Sequence, residues 1–159
     1  MPTLCFSKDF DASERRILTK TFKVNCADLK IDKHDITVAL RKISRPDSHW
    51  LGSVINAAKD HFLVLANTQN VLSQSIFMLG HECVHIKQHR TGQLRTAKEG
   101  SFWNKDFYHN TYCNSKLFYE RLPWEIEAHA RQDKLFENAL RVLNLDDASK
   151  ICAEMQWAT

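Results

Sequence analysis

Apolar residues recur at every third or fourth position along one long segment of the chain, between residues 71 and 92. The positions on this stripe are Leu72, Ile76, Leu79, Cys83 and Ile86. This period is that of an α-helix with one buried face, and the segment contains no proline. It predicts a buried helix of about six turns, at roughly 3.6 residues per turn.

A second helix is predicted from Pro123 onwards. Proline suits the first turn of a helix, and the acidic residues that follow it favour the positive end of the helix dipole. An apolar face continues further along, at Leu135, Phe136, Leu140 and Leu143.

Three strand patterns precede the long helix, at residues 36 to 43, 52 to 58 and 61 to 66. The first alternates between apolar and polar residues, and the third is an apolar run suited to a buried strand. A turn is expected at residues 45 to 48, where Pro46 follows Arg45. Strands followed by helices predict an α+β fold with a three-stranded sheet.

The remaining segments complete a single domain over residues 1 to 159. A short N-terminal helix is predicted over about residues 12 to 24, and a further short helix in the tail from residue 146. Residues 95 to 118 are irregular and rich in aromatic side chains, which predicts a loop or hairpin that shapes a cleft. The alternative is that these aromatics only fill a second small core.

Residues 81 to 85 read His81-Glu82-Cys83-Val84-His85, inside the predicted long helix. Positions i and i+4 of a helix share a face, so both imidazoles can reach one metal ion. Glu82 lies at the edge of that face, where its carboxylate can act as the general base of a hydrolysis. This HExxH box therefore predicts a zinc hydrolase, and the favoured kind of hydrolase is a peptidase.

A catalytic zinc ion needs a third protein ligand and leaves its fourth position to water. The downstream candidates are His89, His109, Glu120, Glu125, Glu127 and His129. The second helix offers two registers of the pattern Glu-x-x-Ala, which start at Glu125 and at Glu127. Side chains two positions apart on a helix point in directions that differ by roughly 200°, so we expect only one of the two glutamates to bind the metal together with the histidines.

The blocks LGHECVHIKQ and YERLPWEIEAHARQ resemble the gluzincin metallopeptidases, and most closely small metallopeptidases of phage and prophage genomes. The resemblance implies a small zincin-like domain in which His81, His85 and Glu125 bind Zn²⁺. It also implies that Glu82 activates a zinc-bound water that attacks a peptide bond. Many gluzincins carry an aspartate four residues after the ligand glutamate, where this chain has His129.

Most enzymes of this kind add a second group that polarises the carbonyl of the substrate. The candidates are Tyr108, His109, Tyr112, Tyr119, His129 and Arg131. Tyr119 is favoured because it lies just ahead of the glutamate helix. The alternative for Tyr119 is a half-buried side chain that only packs.

Composition limits the partners of the protein. The net charge is +3 and the basic residues form no long run, so nucleic-acid binding is not indicated. The 5 cysteines are scattered without a CxxC pair, and no apolar segment has the length of a signal peptide or a membrane span. We therefore expect a cytoplasmic protein (in the host cytoplasm, if it is phage-encoded) that acts on a peptide or protein. The oligomeric state stays open.

Two other functions stay open as well. A regulatory or DNA-associated zinc protease is expected to show a basic groove or an attached DNA-binding module, and the sequence has no obvious one. A non-catalytic zincin-fold binding protein would have no use for Glu82 as a general base, because structural zinc sites close the fourth position.

Overall fold

The computed structural model describes residues 1–45, 50–113 and 115–156. Within these residues it shows an α+β fold with five helices, a four-stranded mixed sheet and a three-stranded antiparallel sheet. The elements are, in chain order, β1 (Thr3–Phe6), α1 (Ala12–Asp28), β2 (Thr37–Ile43), β3 (Gly52–Ala58), β4 (His61–Asn67), α2 (Leu72–Arg90), β5 (Leu94–Ala97), β6 (Gly100–Trp103), β7 (Asp106–His109), α3 (Lys116–Tyr119), α4 (Pro123–Arg141) and α5 (Leu145–Gln156). A short 3₁₀ turn (Asn110–Cys113) precedes α3.

The larger sheet has the strand order β1-β2-β4-β3. Strands β1, β2 and β4 are parallel, and β3 runs antiparallel to β4 at one edge. The three predicted strands correspond to β2, β3 and β4, but the prediction of a three-stranded sheet was wrong because β1 adds a fourth strand. Its four residues are too few to show a period, and pairing with β2 makes them a strand.

The main core lies between this sheet and helices α1, α2 and α4. Alternate residues of β2 and β4 point into it, among them Val38, Leu40, Phe62 and Val64. Helix α2 is the predicted long helix, and the residues of its apolar stripe from Ile76 to Ile86 are fully buried. This part of α2 is therefore packed against other elements on several sides.

Helices α2 and α4 approach each other closely at Gly80. A Cβ atom at this position would lie 3.4 Å from the Cβ atom of Leu135 on α4, so a larger residue would press on the neighbouring helix. Ala128 is also fully buried and gives α4 a narrow face in the core. Because α4 begins at Pro123, as predicted, its first turns lie over the HExxH box.

The segment predicted as a loop or hairpin at residues 95 to 118 is more regular than expected. Strands β5, β6 and β7 form a three-stranded meander, and its side chains Trp103 and Tyr108 pack with Leu94, Leu122 and Trp124. These aromatics thus fill a second small core. The segment from α3 onwards returns to the cleft described below.

The remaining predictions concern the first helix, the tail of the chain and one turn. The N-terminal helix is longer than predicted and ends at Asp28, and the tail forms α5. The turn predicted at residues 45 to 48 lies, from Pro46 on, outside the described residues. None of the helices in the described ranges has both the length and the apolar character needed to cross a bilayer.

Candidate metal centre

Helix α2 presents His81 and His85 on the same face, one turn apart. Their Nε2 atoms are 3.1 Å apart, and the two rings meet edge to face with centroids 4.8 Å apart. His85 is buried and His81 is half-buried at the floor of a cleft. Both nitrogens therefore point to one place, as the spacing of the HExxH box predicts.

Glu125, in the first turn of α4, completes this group. Its Oε2 lies 3.2 Å from Nε2 of His81, and its Oε1 lies 3.2 Å from Nε2 of His85. One ligand atom from each of the three residues lies within 4.8 Å of the others. The structure thus brings together two imidazoles and one carboxylate that could hold a metal ion.

Glu127 is turned to a different set of partners. Its carboxylate accepts hydrogen bonds from Lys87, from the Gln88 amide and from Arg131, at 3.0, 3.1 and 3.1 Å. The carboxylate is therefore neutralised by two cations and does not point at the imidazoles. Of the two registers left open by the sequence, the geometry favours Glu125 as the ligand.

The amide of Gln88 fixes the tautomer of His85. Its nitrogen lies 3.0 Å from the Trp124 carbonyl oxygen and 3.1 Å from a Glu127 oxygen, and both of these atoms are acceptors. The amide oxygen must therefore face Nδ1 of His85, 2.8 Å away, and this nitrogen must donate a proton. In neutral His85 the lone pair is then on Nε2, the nitrogen that faces Glu125.

His81 has a similar partner on α4. Its Nδ1 lies 3.0 Å from Oε1 of Gln132, seven positions after Glu125 and so on the same face of the helix. His129, the residue at the position of the usual gluzincin aspartate, contacts the His81 ring edge to face at 4.9 Å. Gln88 and Gln132 were not predicted from the sequence, because glutamine at these positions belongs to no motif.

Glu125 is 2% exposed, and the near partners of its two carboxylate oxygens include the Nε2 atoms of His81 and His85, each 3.2 Å away. A buried, uncompensated carboxylate costs several kcal/mol, roughly, in an apolar environment. Either a proton on His85 or a divalent cation would supply the missing positive charge. Two imidazole nitrogens and one carboxylate oxygen are a donor set that Zn²⁺ favours, so the residues fit a zinc ion.

The electrostatics of the three side chains point the same way. Burial alone would lower the pKa of His85, but the hydrogen bond to Glu125 and the charges of Glu82 and Glu125 outweigh it and raise this pKa to about 9. Burial would likewise raise the pKa of Glu125, but the hydrogen bonds with His81 and His85 hold it well below its ordinary value. The site therefore favours a positive charge between the three side chains.

Glu82 is 4% exposed and lines the cleft next to His81. Its pKa is raised by burial, against the opposing charges of His85 and His81 and a hydrogen bond from the backbone of Val54. A carboxylate with a raised pKa is a stronger base than an exposed one. Its place beside the group of ligands suits the general base that the box predicts.

Tyr119 ends α3 at the mouth of the same cleft and forms a hydrogen bond with Glu125. It is 39% exposed. His129 lines this cavity too. The other candidates for a second electrophile lie apart from this cavity or outside the described side chains: Tyr108 in the second core, His109 beside Thr111, Arg131 with Glu127, and Tyr112, whose side chain is not described.

The cleft has a volume of about 450 Å³ and an apolar wall opposite the polar residues. This wall consists of Trp50, Leu51, Phe77 and Met78. A smaller cavity of about 160 Å³ lies on the other side of the ligands and reaches Val54, His89 and Leu94. The candidate ligands thus lie between two open spaces, where a chain-like molecule can pass in front of them.

Comparison with known proteins adds no relative. None of the family models, curated proteins or solved structures that were compared matches the chain. The likeness to gluzincins therefore rests on the two sequence blocks quoted above, and the candidate centre rests on its own geometry.

Proposed function

We propose that the chain is a zinc-dependent metallopeptidase that hydrolyses peptide bonds, with Glu82 as general base. The observation that carries this proposal is the convergence of His81, His85 and Glu125 beside Glu82 in an open cleft. A purely structural metal site would have no need of a second, buried carboxylate at its open side.

The residues of the chain divide the chemistry among themselves. A zinc ion held by His81, His85 and Glu125 would polarise the substrate carbonyl and make a bound water acidic enough to react near neutral pH. Glu82 accepts the proton of the attacking water and passes it to the leaving amine. Gln88 and Gln132 keep the two imidazoles in the orientation and tautomer that a metal requires.

Tyr119 supplies the second electrophile in this mechanism. Its hydroxyl group forms a hydrogen bond with Glu125 in the structure, so it lies within reach of the position of a substrate carbonyl. In the complex it donates a hydrogen bond to the oxygen on which negative charge develops. The residual exposure of the ring is consistent with a side chain that changes partners when a substrate enters.

The edge strand β3 gives the substrate its path. Within the part of the chain that the structure describes, β4 is its one neighbour in the sheet, so half of its backbone groups face away from the sheet. Its residue Gly52 lines both cavities, and Ser53 lines the smaller one. An extended peptide that pairs with β3 would bring one of its peptide bonds in front of the ligands.

The expected setting is a reducing cytoplasm. All four cysteines whose side chains are described are free thiols, which supports this expectation.

The test combines metal analysis with single substitutions. The purified chain is expected to bind about one zinc ion per molecule, and His81→Ala and Glu125→Ala are expected to lose it. Glu82→Gln should keep the metal and lose hydrolysis by a factor of roughly 10² or more. Glu127→Ala is the matched control, since it removes a carboxylate from the same helix but should still bind zinc at saturation.

Two results would contradict the proposal. Retention of zinc by Glu125→Ala together with its loss in Glu127→Ala would overturn the ligand set. A Glu82→Gln protein with undiminished hydrolysis would remove the general base, and one with undiminished biological effect would favour a non-catalytic binding protein.

A further inference from the structure

A second apolar cavity, of about 510 Å³, adjoins the cleft on the side away from the smaller cavity that reaches Val54. Leu51 and Phe77 line both cavities, so the two adjoin each other and together make up one groove. Val71 and Phe136 complete the apolar wall of the second cavity. The proposed mechanism makes no use of this space.

The distance of the second cavity from the metal ligands follows from the two helices that line it. On α2 its residue Gln74 precedes His81 by seven positions, which is about 10 Å at roughly 1.5 Å per residue. On α4 its residue Phe136 follows Glu125 by eleven positions, which is about 16 Å on the same scale. An extended peptide advances about 3.3 Å per residue, so this span corresponds to about three to five residues.

The chemistry of the cavity selects its occupant. Val71 is 46% exposed, and the rings of Phe77 and Phe136 pack edge to face, with centroids 5.8 Å apart, to form a firm wall. A bulky aliphatic or aromatic side chain would cover this surface. Asp133 also lines the cavity, and its carboxylate would repel an acidic side chain, whereas that of Glu137 is paired with Lys134 at 3.6 Å.

We propose that the groove is an extended substrate site, and that the enzyme is an endopeptidase that selects a bulky apolar side chain about three to five residues from the cleaved bond. The occupant is the substrate peptide itself, because the groove is continuous with the cleft that holds the candidate ligands. This proposal rests on the proposed peptidase function. It adds a determinant of specificity away from the metal centre.

The experiment uses the full chain loaded with zinc and a mixture of peptides from denatured proteins. Cleavage sites are read by mass spectrometry. We expect leucine, phenylalanine and methionine to be enriched, and aspartate and glutamate depleted, at one position about three to five residues from the cleaved bond. Two fluorogenic peptides are then made from the preferred sequence, one complete and one shortened so that it ends before this position.

Val71→Asp tests the cavity directly, and Val142→Asp is its matched control. Both valines are about equally exposed, at 46% and 44%, and Val142 lies at the far end of α4 without lining the groove. Val71→Asp should lower kcat/KM for the complete peptide by roughly tenfold or more, the scale of burying a large apolar side chain, and leave the shortened peptide unchanged. Val142→Asp should change neither value.

The outcomes separate this proposal from the one on which it rests. Cleavage without any preference beyond the residues next to the scissile bond would overturn the extended site and leave the peptidase intact. Equal kcat/KM of Val71→Asp and the unchanged chain on the complete peptide would do the same. No zinc-dependent cleavage of any peptide, with Glu82→Gln as the blank, would overturn the peptidase function and the extended site together.

Discussion

Gln88 is the residue whose replacement tests the metal centre most directly without touching a ligand. Its side chain is fully buried and joins three groups: Nδ1 of His85, the Trp124 carbonyl and the Glu127 carboxylate. Methionine has a similar length and shape but neither donates nor accepts a strong hydrogen bond. Gln88→Met therefore removes the three bonds and keeps most of the packing.

Two magnitudes follow for Gln88→Met. Loss of the partner of a metal-bound imidazole weakens metal binding by about 10- to 100-fold, or about 1.4 to 2.7 kcal/mol. The substitution also leaves the His85 N–H buried without a partner, at about 1 to 3 kcal/mol. The Trp124 carbonyl keeps the backbone bond of its helix, and Glu127 keeps Lys87 and Arg131. Against a domain stability of about 5 to 15 kcal/mol, the variant should still fold.

The assay is competition for zinc with a chromophoric chelator, at a temperature where thermal unfolding shows each variant to be folded. Gln93→Met is the control, since it makes the same change just beyond the end of α2. The unchanged chain and the control should agree, and Gln88→Met should bind zinc at least tenfold more weakly. A twofold or smaller difference would refute the reasoning that this amide fixes the imidazole for the metal.

Four further predictions concern the same site and the second sheet. Because the folded-state pKa of His85 is raised to about 9, zinc must displace a proton from His85 at neutral pH. Zinc affinity, measured by chelator competition, should therefore rise about tenfold per pH unit from pH ~6.5 to ~9. An affinity that levels off near pH ~7 would show that this pKa is ordinary. The metal-free chain should correspondingly lose stability as the pH rises through this range, since the proton on His85 stabilises the folded state and is lost. The double variant Gln88→Met/Glu127→Gln should bind zinc no more weakly than Gln88→Met alone, because both changes act through one hydrogen bond, whereas additive losses would separate the two roles. Gly100→Ala should lower the thermal stability by at least about 1 to 3 kcal/mol, because the new Cβ would overlap the Tyr108 carbonyl oxygen, and an unchanged melting curve would contradict the packing of β6 on β7.

The parts of the fold that the sequence predicted well are those in which a repeating pattern extends over many residues. The stripe of α2 extends over four turns, and β2 and β4 are buried strands of seven residues, so each carries its own signal. Strand β1 and the three strands of the second sheet have four residues each, which is too short for a pattern to stand out. These strands exist because a partner strand pairs with them, and pairing across the chain is not visible in local sequence.

The candidate site shows the same division. Histidines four residues apart predict a shared metal because the helix itself sets their geometry. Gln88 and Gln132 have their roles through tertiary contacts, and glutamine is common on helices for other reasons. Spacing places Gln132 on the same face of the helix as Glu125, two turns later. Nothing in the local sequence shows that it contacts a histidine or distinguishes it from other polar residues on that helix.

The two glutamates of α4 show why the sequence alone left the third ligand open. Both are acids in the first turns of one helix, and both face α2. What separates them is the charge on α2 opposite each one: Glu127 meets the ammonium group of Lys87, while Glu125 meets two imidazoles that need not carry a charge. A carboxylate already paired with Lys87 and Arg131 gains little from a metal ion, whereas the buried Glu125 depends on a proton on His85 or on a metal ion for its positive partner. Glu127 is still part of the centre, because it holds the Gln88 amide nitrogen and so prevents the flip that would turn a donor towards His85.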